Sequence, residues 1–373
     1  MKRTVHLITG KHYDFEAQKY TVGGIQTYIN NLIPVIKSLG MDVIIYQFDG
    51  KNENELVTED FRIINVAVNP DIKDIEKVKI AVARCSTFYN DDTDILIFTT
   101  DTRIVKTGYK NTIAIQHGIF WDKPVHQNFS PQMSALYAFS KVRLTYKISR
   151  NLENVGRVVC VDYNFPNWLR ASVAYQTVPI TVIPNFSAIG DRNTKPEGRV
   201  NIIFARRLET YRGTRVFSDA ASLILQEYPE VYVTVAGTGP DKDYMVDKLS
   251  VFGNRVIFTD YQANEALAIH ADQHIAVVPT VGSEGTSLSL LEAMSSQCAV
   301  VCTSVGGMTN IVLDGYNGVF VNPGEKTELY NAIKKLVEDK SLRNSLAENA
   351  YKTVKAAFSK EIWSNRWKEI LLK

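Results

Sequence analysis

Two glutamates eight residues apart, Glu284 and Glu292, bracket a run of small residues in the stretch 279–294, P-T-V-G-S-E-G-T-S-L-S-L-L-E-A-M. The four apolar residues before it, 275–278, read as a buried strand, and about 287–296 reads as a helix. Between them Gly285, Thr286 and Ser287 let the backbone approach a ligand closely. The N–H groups at the helix start, near Leu288, suit a phosphate. Glu292 lies one to two turns into that helix and so returns to the loop. One acid can then grip one end of a ligand and the other acid the other end. Each acid also has a plainer reading: Glu284 suits the dipole of a helix start, and Glu292 suits a solvated helix face. The whole string is far more specific than either half.

Three other places could do chemistry. Arg206, Arg207 and Arg212 follow a strand at 201–205 and precede Gly213 and a helix running to 228. Arginines beside a helix start read as an anion clamp, though a basic surface loop is common. Gly23 and Gly24 open a helix after a first strand at 4–9, and the helix leads to a strand at 42–47, which makes a βαβ unit. A glycine pair offers backbone N–H groups to a phosphate, or is simply a tight turn. His117 stands just past a strand at 112–116, on the edge where open α/β sheets bind ligands.

These pieces together resemble the retaining GT-B glycosyltransferases that carry an E-x7-E motif, of the family 4-like, bacterial polysaccharide type. Strand, S-E-G-T-S-L, helix and L-E-A-M give the E-x7-E string. Arg207, Leu208 and Arg212 match a G-R-L-x-x-x-K-G loop, with Arg212 in the lysine's place and Arg206 in the glycine's. The turn at Gly237, G-T-G-P, matches a G-x-G-P turn, and S-V-G-G at 304–307 and G-Y-N-G-V-F-V at 315–321 match further segments. The resemblance implies that Arg207 and Arg212 lie at the donor's diphosphate, with Gly23 and Gly24 against it. It implies that His117 and Glu284 contact the transferred sugar and that Glu292 holds the ribose. It is specific over about 200–322 and looser before.

The resemblance also implies an α/β protein of GT-B architecture, two Rossmann-like parallel-sheet domains facing a central cleft. The acceptor-side domain is 1–186 and the nucleotide-sugar domain 187–357, with a terminal helix in 358–373 crossing back onto the first. The polar, turn-rich stretch 190–198 marks the boundary. The implied reaction moves a hexose-type sugar from a UDP- or GDP-sugar to a glycan or lipid-linked acceptor, with retention at the anomeric carbon. By analogy alone this belongs to surface polysaccharide biosynthesis, lipopolysaccharide or capsule. No cofactor and no metal are expected, because arginines and N–H groups form the clamp. The loop 121–129 reads as an acceptor loop.

Composition agrees with a two-domain globular protein: 373 residues, 45% hydrophobic and a net charge of +2. That charge gives no general affinity for polyanions, so no nucleic-acid partner is expected. The four cysteines, Cys85, Cys160, Cys298 and Cys302, lack zinc spacing and read as buried thiols of a cytoplasmic protein. No apolar run approaches the ~18 residues of a membrane span. A helix over 129–151 carries Lys141, Arg143, Lys147 and Arg150, a face that can lie on the inner membrane surface or cover a core. His270 and His274 lack a zinc-helix pattern. Asp92-Thr93-Asp94 and Asp241-Lys242-Asp243 match D-x-D but read as acids at turns. A GT-B epimerase would need its own acid–base carboxylates, and a dinucleotide oxidoreductase would need G-x-G-x-x-G after the first strand. A non-catalytic sugar-nucleotide-binding protein would keep the clamp without turnover.

Overall fold

The computed structural model describes residues 2–21, 23–119, 130–172, 178–191, 194–282 and 284–373. Val22, the loop 121–129, the expected helix start at Phe129, two residues of the boundary stretch (192 and 193) and Ser283 of the glutamate string lie outside the described residues. Parallel sheets with helices on both faces arise where strands are apolar on both sides. The chain forms two such sheets in two compact units. The first comprises Met1–His117, Phe129–Ile183 and Ser364–Lys373, and the second is mainly Pro184–Trp363.

The first unit holds β1 (Thr4–Thr9), a small hairpin β2 (Tyr13–Asp14) and β3 (Lys19–Tyr20), then β4 (Asp42–Gln47), β5 (Asn54–Val57), β6 (Arg62–Asn65), β7 (Ile95–Phe98), β8 (Thr112–Gln116), β9 (Arg157–Cys160) and β10 (Ile180–Val182). Its helices are α1 (Gly24–Ser38), α2 (Asp74–Cys85), α3 (Pro131–Leu152) and α4 (Asn164–Ser172). The sheet order is β10-β9-β8-β7-β1-β4-β6-β5, parallel throughout except that β5 runs antiparallel to β6. β7 and β8 are buried at every residue, as central parallel strands must be. α1 buries Tyr28, Ile29, Leu32, Ile33, Val35 and Ile36, the helical spacing read from the sequence.

The second unit holds β11 (Val200–Ala205), β12 (Val231–Ala236), β13 (Val256–Thr259), β14 (Ile275–Val278), β15 (Ala299–Thr303) and β16 (Val319–Val321). They form one parallel sheet in the order β13-β12-β11-β14-β15-β16. Its helices are α5 (Thr214–Glu227), α6 (Lys242–Leu249), α7 (Ala266–His270), α8 (Leu288–Ser295), α9 (Lys326–Glu338) and α10 (Lys340–Ala357). The last helix, α11 (Lys360–Leu371), is divided between the units. Trp363 packs on Phe186 in the second, and Trp367 donates its indole N–H to Tyr28 Oη at 2.8 Å in the first. Ser364–Lys373 group with the first unit.

Both sheets are doubly wound. In each, the chain leaves the first strand to one side and later returns on the other. The switch points lie between β1 and β7 in the first unit and between β11 and β14 in the second. Ligands of such sheets bind outside the carboxyl ends of the strands at these points.

Candidate active site

In the second unit the loops leaving β11 and β14 lock onto each other at the switch point. Gly213 has a φ of 85°, and a Cβ there would stand 1.9 Å from the Pro279 carbonyl oxygen. Only glycine allows that approach. Val281 N–H donates to the Tyr211 carbonyl at 2.9 Å. The loop after β15 closes the third side. Gly307 N–H donates to the Glu284 carbonyl at 2.9 Å, and a Cβ on Gly306, at φ 52°, would meet that carbonyl oxygen at 2.1 Å. Asp241 fixes the arginine loop from behind, accepting from Thr210 Oγ1 at 2.8 Å and from Thr214 Oγ1. One acid of the second D-x-D is thus a structural anchor.

Glu284 sits where these loops meet, with 9% of its side chain exposed. Its Oε2 accepts from Arg206 Nη2 at 2.8 Å, from Thr280 Oγ1 at 3.0 Å and from Arg212 Nη1. Burial works to raise the Glu284 pKa. The charges of Arg206 and Arg212 outweigh it, so the carboxyl is held below its usual range. Arg206 is buried too and gives its other terminal nitrogen to Thr280 Oγ1 at 2.6 Å. Arg207, expected at the diphosphate, is exposed and pairs with Glu209 at 3.2 Å. Residues alternate sides at a strand's end. With Arg206 N–H still bonded to Ala236 of β12, only one of the two arginines points inward. The sequence flagged Arg206 as a departure from a pattern. It did not show it as an interior charge.

Glu292 lies on α8, partly buried, and burial alone pushes its carboxyl up to about 7. Among the described residues no side chain or backbone N–H donates to it. Ser287 is the N-cap of α8 and makes no side-chain cap hydrogen bond, so the first N–H groups of the helix are uncapped by it. The Thr286 carbonyl accepts from Asn185 at 2.9 Å. Gly237, at φ 131°, lies so close to the Arg206 carbonyl that a Cβ would approach it to 2.3 Å. It packs the β12 turn against the arginine loop.

Gly23, Gly24 and His117 belong to the first unit. Gly23 is extended and Gly24 begins α1, so neither backbone conformation requires glycine. A Cβ on Gly24 would meet nothing within 4 Å. A Cβ on Gly23, by contrast, would meet Gln26 Oε1 at 2.5 Å, so the open space lies on the Gly24 side. His117 Nε2–H donates to the Thr99 carbonyl at 3.0 Å, and burial lowers the ring's pKa to about 4. The ring is neutral, and the bond fixes the tautomer with Nδ1 as an acceptor. It stacks edge-on to Tyr28 of α1 at 5.1 Å.

Two acids near the same edge escaped the sequence reading. Asp101 follows β7 and Asp162 follows β9. Both are buried, and burial pushes their carboxyls up to about 7 and about 6. The Oδ2 of each has no hydrogen-bond partner among the described residues. The signal was present in their place at strand ends. His12, fully buried after β1, is likewise driven down to about 4 by burial. His270 spends Nδ1 and His274 both ring nitrogens on backbone groups. Among the described residues no three His, Cys, Asp or Glu side chains gather as a metal site.

The charged switch point lies inside a recognisable domain. Residues 186–353 match the family model Glycosyl transferases group 1. The matched span includes the arginine loop and both glutamates. An uncharacterized glycosyltransferase of Methanocaldococcus jannaschii is 26% identical over 70% of this chain and 67% of its own length. A lipopolysaccharide core biosynthesis glycosyltransferase of Rhizobium meliloti is 28% identical over 69% of this chain and 79% of its own. Two other relatives are matched over only 43% of their lengths. Among solved structures, Anabaena HepE in complex with UDP superposes over 100% of both chains with a TM-score of 0.68 at 17% identity. At that identity the likeness shows the fold, which is that of GT-B glycosyltransferases. The domain match and the relatives support glycosyl transfer.

Proposed function

We propose that the protein is a retaining glycosyltransferase. It moves a hexose-type sugar from a UDP- or GDP-sugar to a glycan or lipid-linked acceptor in surface polysaccharide synthesis. The observation that carries this reading is the buried Glu284–Arg206–Arg212 network at the switch point of a matched glycosyltransferase domain. Departure of a nucleoside diphosphate builds negative charge on its phosphates. Arg212 and the uncapped start of α8 are the groups suited to stabilise that charge. The anomeric carbon's bond to the phosphate breaks, and its bond to the acceptor oxygen forms on the same face. The acceptor's proton passes to the leaving diphosphate. Glu292 holds the ribose hydroxyls and Glu284 offers Oε1 to the sugar ring; within the first unit, the His117 Nδ1 acceptor suits a hydroxyl. Arginines do the work a divalent ion would do, so excess chelator should leave activity intact.

The same reading includes a membrane-facing partner. α3 has no acidic residue and carries Lys141, Arg143, Lys147 and Arg150. Met133, Leu136, Phe139, Val142 and Tyr146 recur on it every three to four residues and are all exposed, Leu136 and Phe139 at 69% each. Among the described residues no helix is long and apolar enough to cross a membrane. An apolar stripe with basic flanks suits an anionic bilayer surface, where lipid-linked acceptors reside.

The test is transfer and hydrolysis of labelled nucleotide-sugars, with calorimetry on UDP and GDP. Glu292→Ala should weaken the bare diphosphate, which still carries the ribose, by about tenfold or more. Binding without turnover of any donor would favour the non-catalytic alternative. Inversion at the anomeric carbon of the product would overturn the retaining assignment.

A further inference from the structure

Arg206 stands where the resembled loop has glycine, and its guanidinium reaches a different part of the site from any backbone glycine. It is 5% exposed, against 25% for Arg212. Both guanidinia donate to one oxygen, Glu284 Oε2. Two cations and one carboxylate leave the cluster with one positive charge in excess. With Arg212 as the sole cation, Glu284 would have no second counter-ion. Any movement of Arg212 toward phosphate would then strand a nearly buried carboxylate, which is strongly unfavourable. With Arg206 present, Glu284 keeps a buried counter-ion and the Thr280 hydroxyl when Arg212 departs. Thr280 is itself fixed. It is wholly buried, and its carbonyl accepts from Thr303 Oγ1 at 2.6 Å.

We infer that Arg206 is a positioning residue, the standing counter-ion of Glu284 that releases Arg212 from the carboxylate to the donor's diphosphate. This rests on the function proposed above. Arg206 touches no substrate in this scheme and acts only through Glu284. The interior arginine divides the labour of one charge pair. Arg206 neutralises the acid that faces the sugar, and Arg212, five times more exposed, serves the leaving group.

The scheme makes a non-additive prediction that a merely structural arginine does not. Calorimetry with UDP and with GDP reads it on the whole chain. Arg206→Met should weaken the diphosphate that the wild type binds by about tenfold to a hundredfold and raise the donor KM more than it lowers kcat. Glu284→Gln should leave diphosphate affinity unchanged or raise it, because Arg212 is no longer held by a carboxylate. The double variant Arg206→Met with Glu284→Gln should bind the diphosphate as Glu284→Gln does, since no acid remains to be stranded. Arg206→Lys should recover part of the affinity. If Arg206→Met does not fold, the double variant removes both buried charges together, and its comparison with Glu284→Gln still decides. A further loss in the double variant beyond Glu284→Gln overturns the inference, as does wild-type affinity in Arg206→Met. A wild type that binds neither UDP nor GDP overturns the functional reading itself and the inference with it. Diphosphate binding that survives every Arg206 change overturns the inference alone.

Discussion

The carboxyl ends of the two sheets both bury carboxyl groups, and they treat them oppositely. At the second unit's switch point Glu284 is buried and ionised, with Arg206, Arg212 and Thr280 on one oxygen. At the first unit's edge Asp101 is buried with no cation beside it among the described residues, and its carboxyl rises to about 7. Burial acts in the same direction on both acids. The guanidinia alone reverse its sign. The second unit is thus organised to handle charge, which suits a leaving diphosphate. The first holds the neutral His117 ring and Asp101, whose carboxyl burial pushes up to about 7.

The largest expected effect comes from removing the acid that makes the second site ionic. Glu284→Ala leaves Arg206 buried without a counter-ion. Breaking a buried pair from one side costs about 3–5 kcal/mol. Urea unfolding should show a loss of that order, and the same deletion at Asp101 should cost much less. A loss under about 1 kcal/mol at Glu284 would break the comparison.

Next comes Arg212→Ala, which takes the more exposed cation away while Arg206 keeps Glu284 neutralised. Turnover of donor should fall about a hundredfold or more, as for loss of one preorganised electrostatic donor, with the protein still folded. Arg207→Ala, at an exposed residue paired with Glu209, should change turnover little. Equal losses from the two changes would show that the exposed arginine swings in on binding and that the buried and exposed roles are misassigned.

The first unit's acid yields a pH test. The folded Asp101 pKa is raised above its unfolded value, so the folded state holds a proton that the unfolded state has released. Stability is therefore present at low pH and is lost as pH rises from about 4 through about 7. Between pH 5 and pH 8 the wild type should lose on the order of 2 kcal/mol through this group. Asp101→Asn should remove that part of the slope. Glu292, pushed up to about 7 in the second unit, adds a slope of the same sign, so the measurement is made as a difference between wild type and variant. An unchanged slope in Asp101→Asn would mean that water or a cation keeps Asp101 ionised, and the contrast between the two edges would disappear.

Most of the scaffold was legible because parallel strands and amphipathic helices write their burial into the sequence. β1, β4, β8, β11 and β14 fall where apolar runs placed them, within a residue. Two of the elements missed have weak patterns. β5 is an exposed edge strand, and α6 buries only Met245 and Leu249. The candidate site was legible in part: residue type and spacing singled out Glu284 and Arg212, which the structure joins through Glu284 Oε2. It was illegible where the answer depended on which side of a strand end a side chain leaves. Arg206 and Arg207 are adjacent and chemically identical, and only the ladder to β12 sends Arg206 inward. The charge states of Asp101 and Asp162 were hidden for a related reason. An aspartate reads as a surface residue until the fold buries it.

The smallest effect concerns where the first unit does place its charge, which is on the exposed face of α3. Arg143 and Lys147 have no acidic partner among the described residues, whereas Arg150 pairs with Glu153 at 3.1 Å. Each basic residue near an anionic surface is worth about 1 kcal/mol. Arg143→Ala and Lys147→Ala should each weaken binding to vesicles containing anionic lipid by about fivefold. Arg150→Ala should matter less, since its charge is already matched. Raising the salt from about 0.1 to 1 M shortens the screening length from about 10 to about 3 Å and should remove most of this part. Phe139→Ser should weaken binding at every salt concentration, because its share is apolar burial. Sedimentation with neutral and anionic vesicles measures all four. Equal binding to both vesicle types, or to neither, removes the membrane as the partner of α3. A concentration-dependent dimer lost in Phe139→Ser would assign the stripe to a second copy of the chain. In either case unit-specific charge, buried in one and displayed in the other, would no longer separate donor chemistry from acceptor delivery.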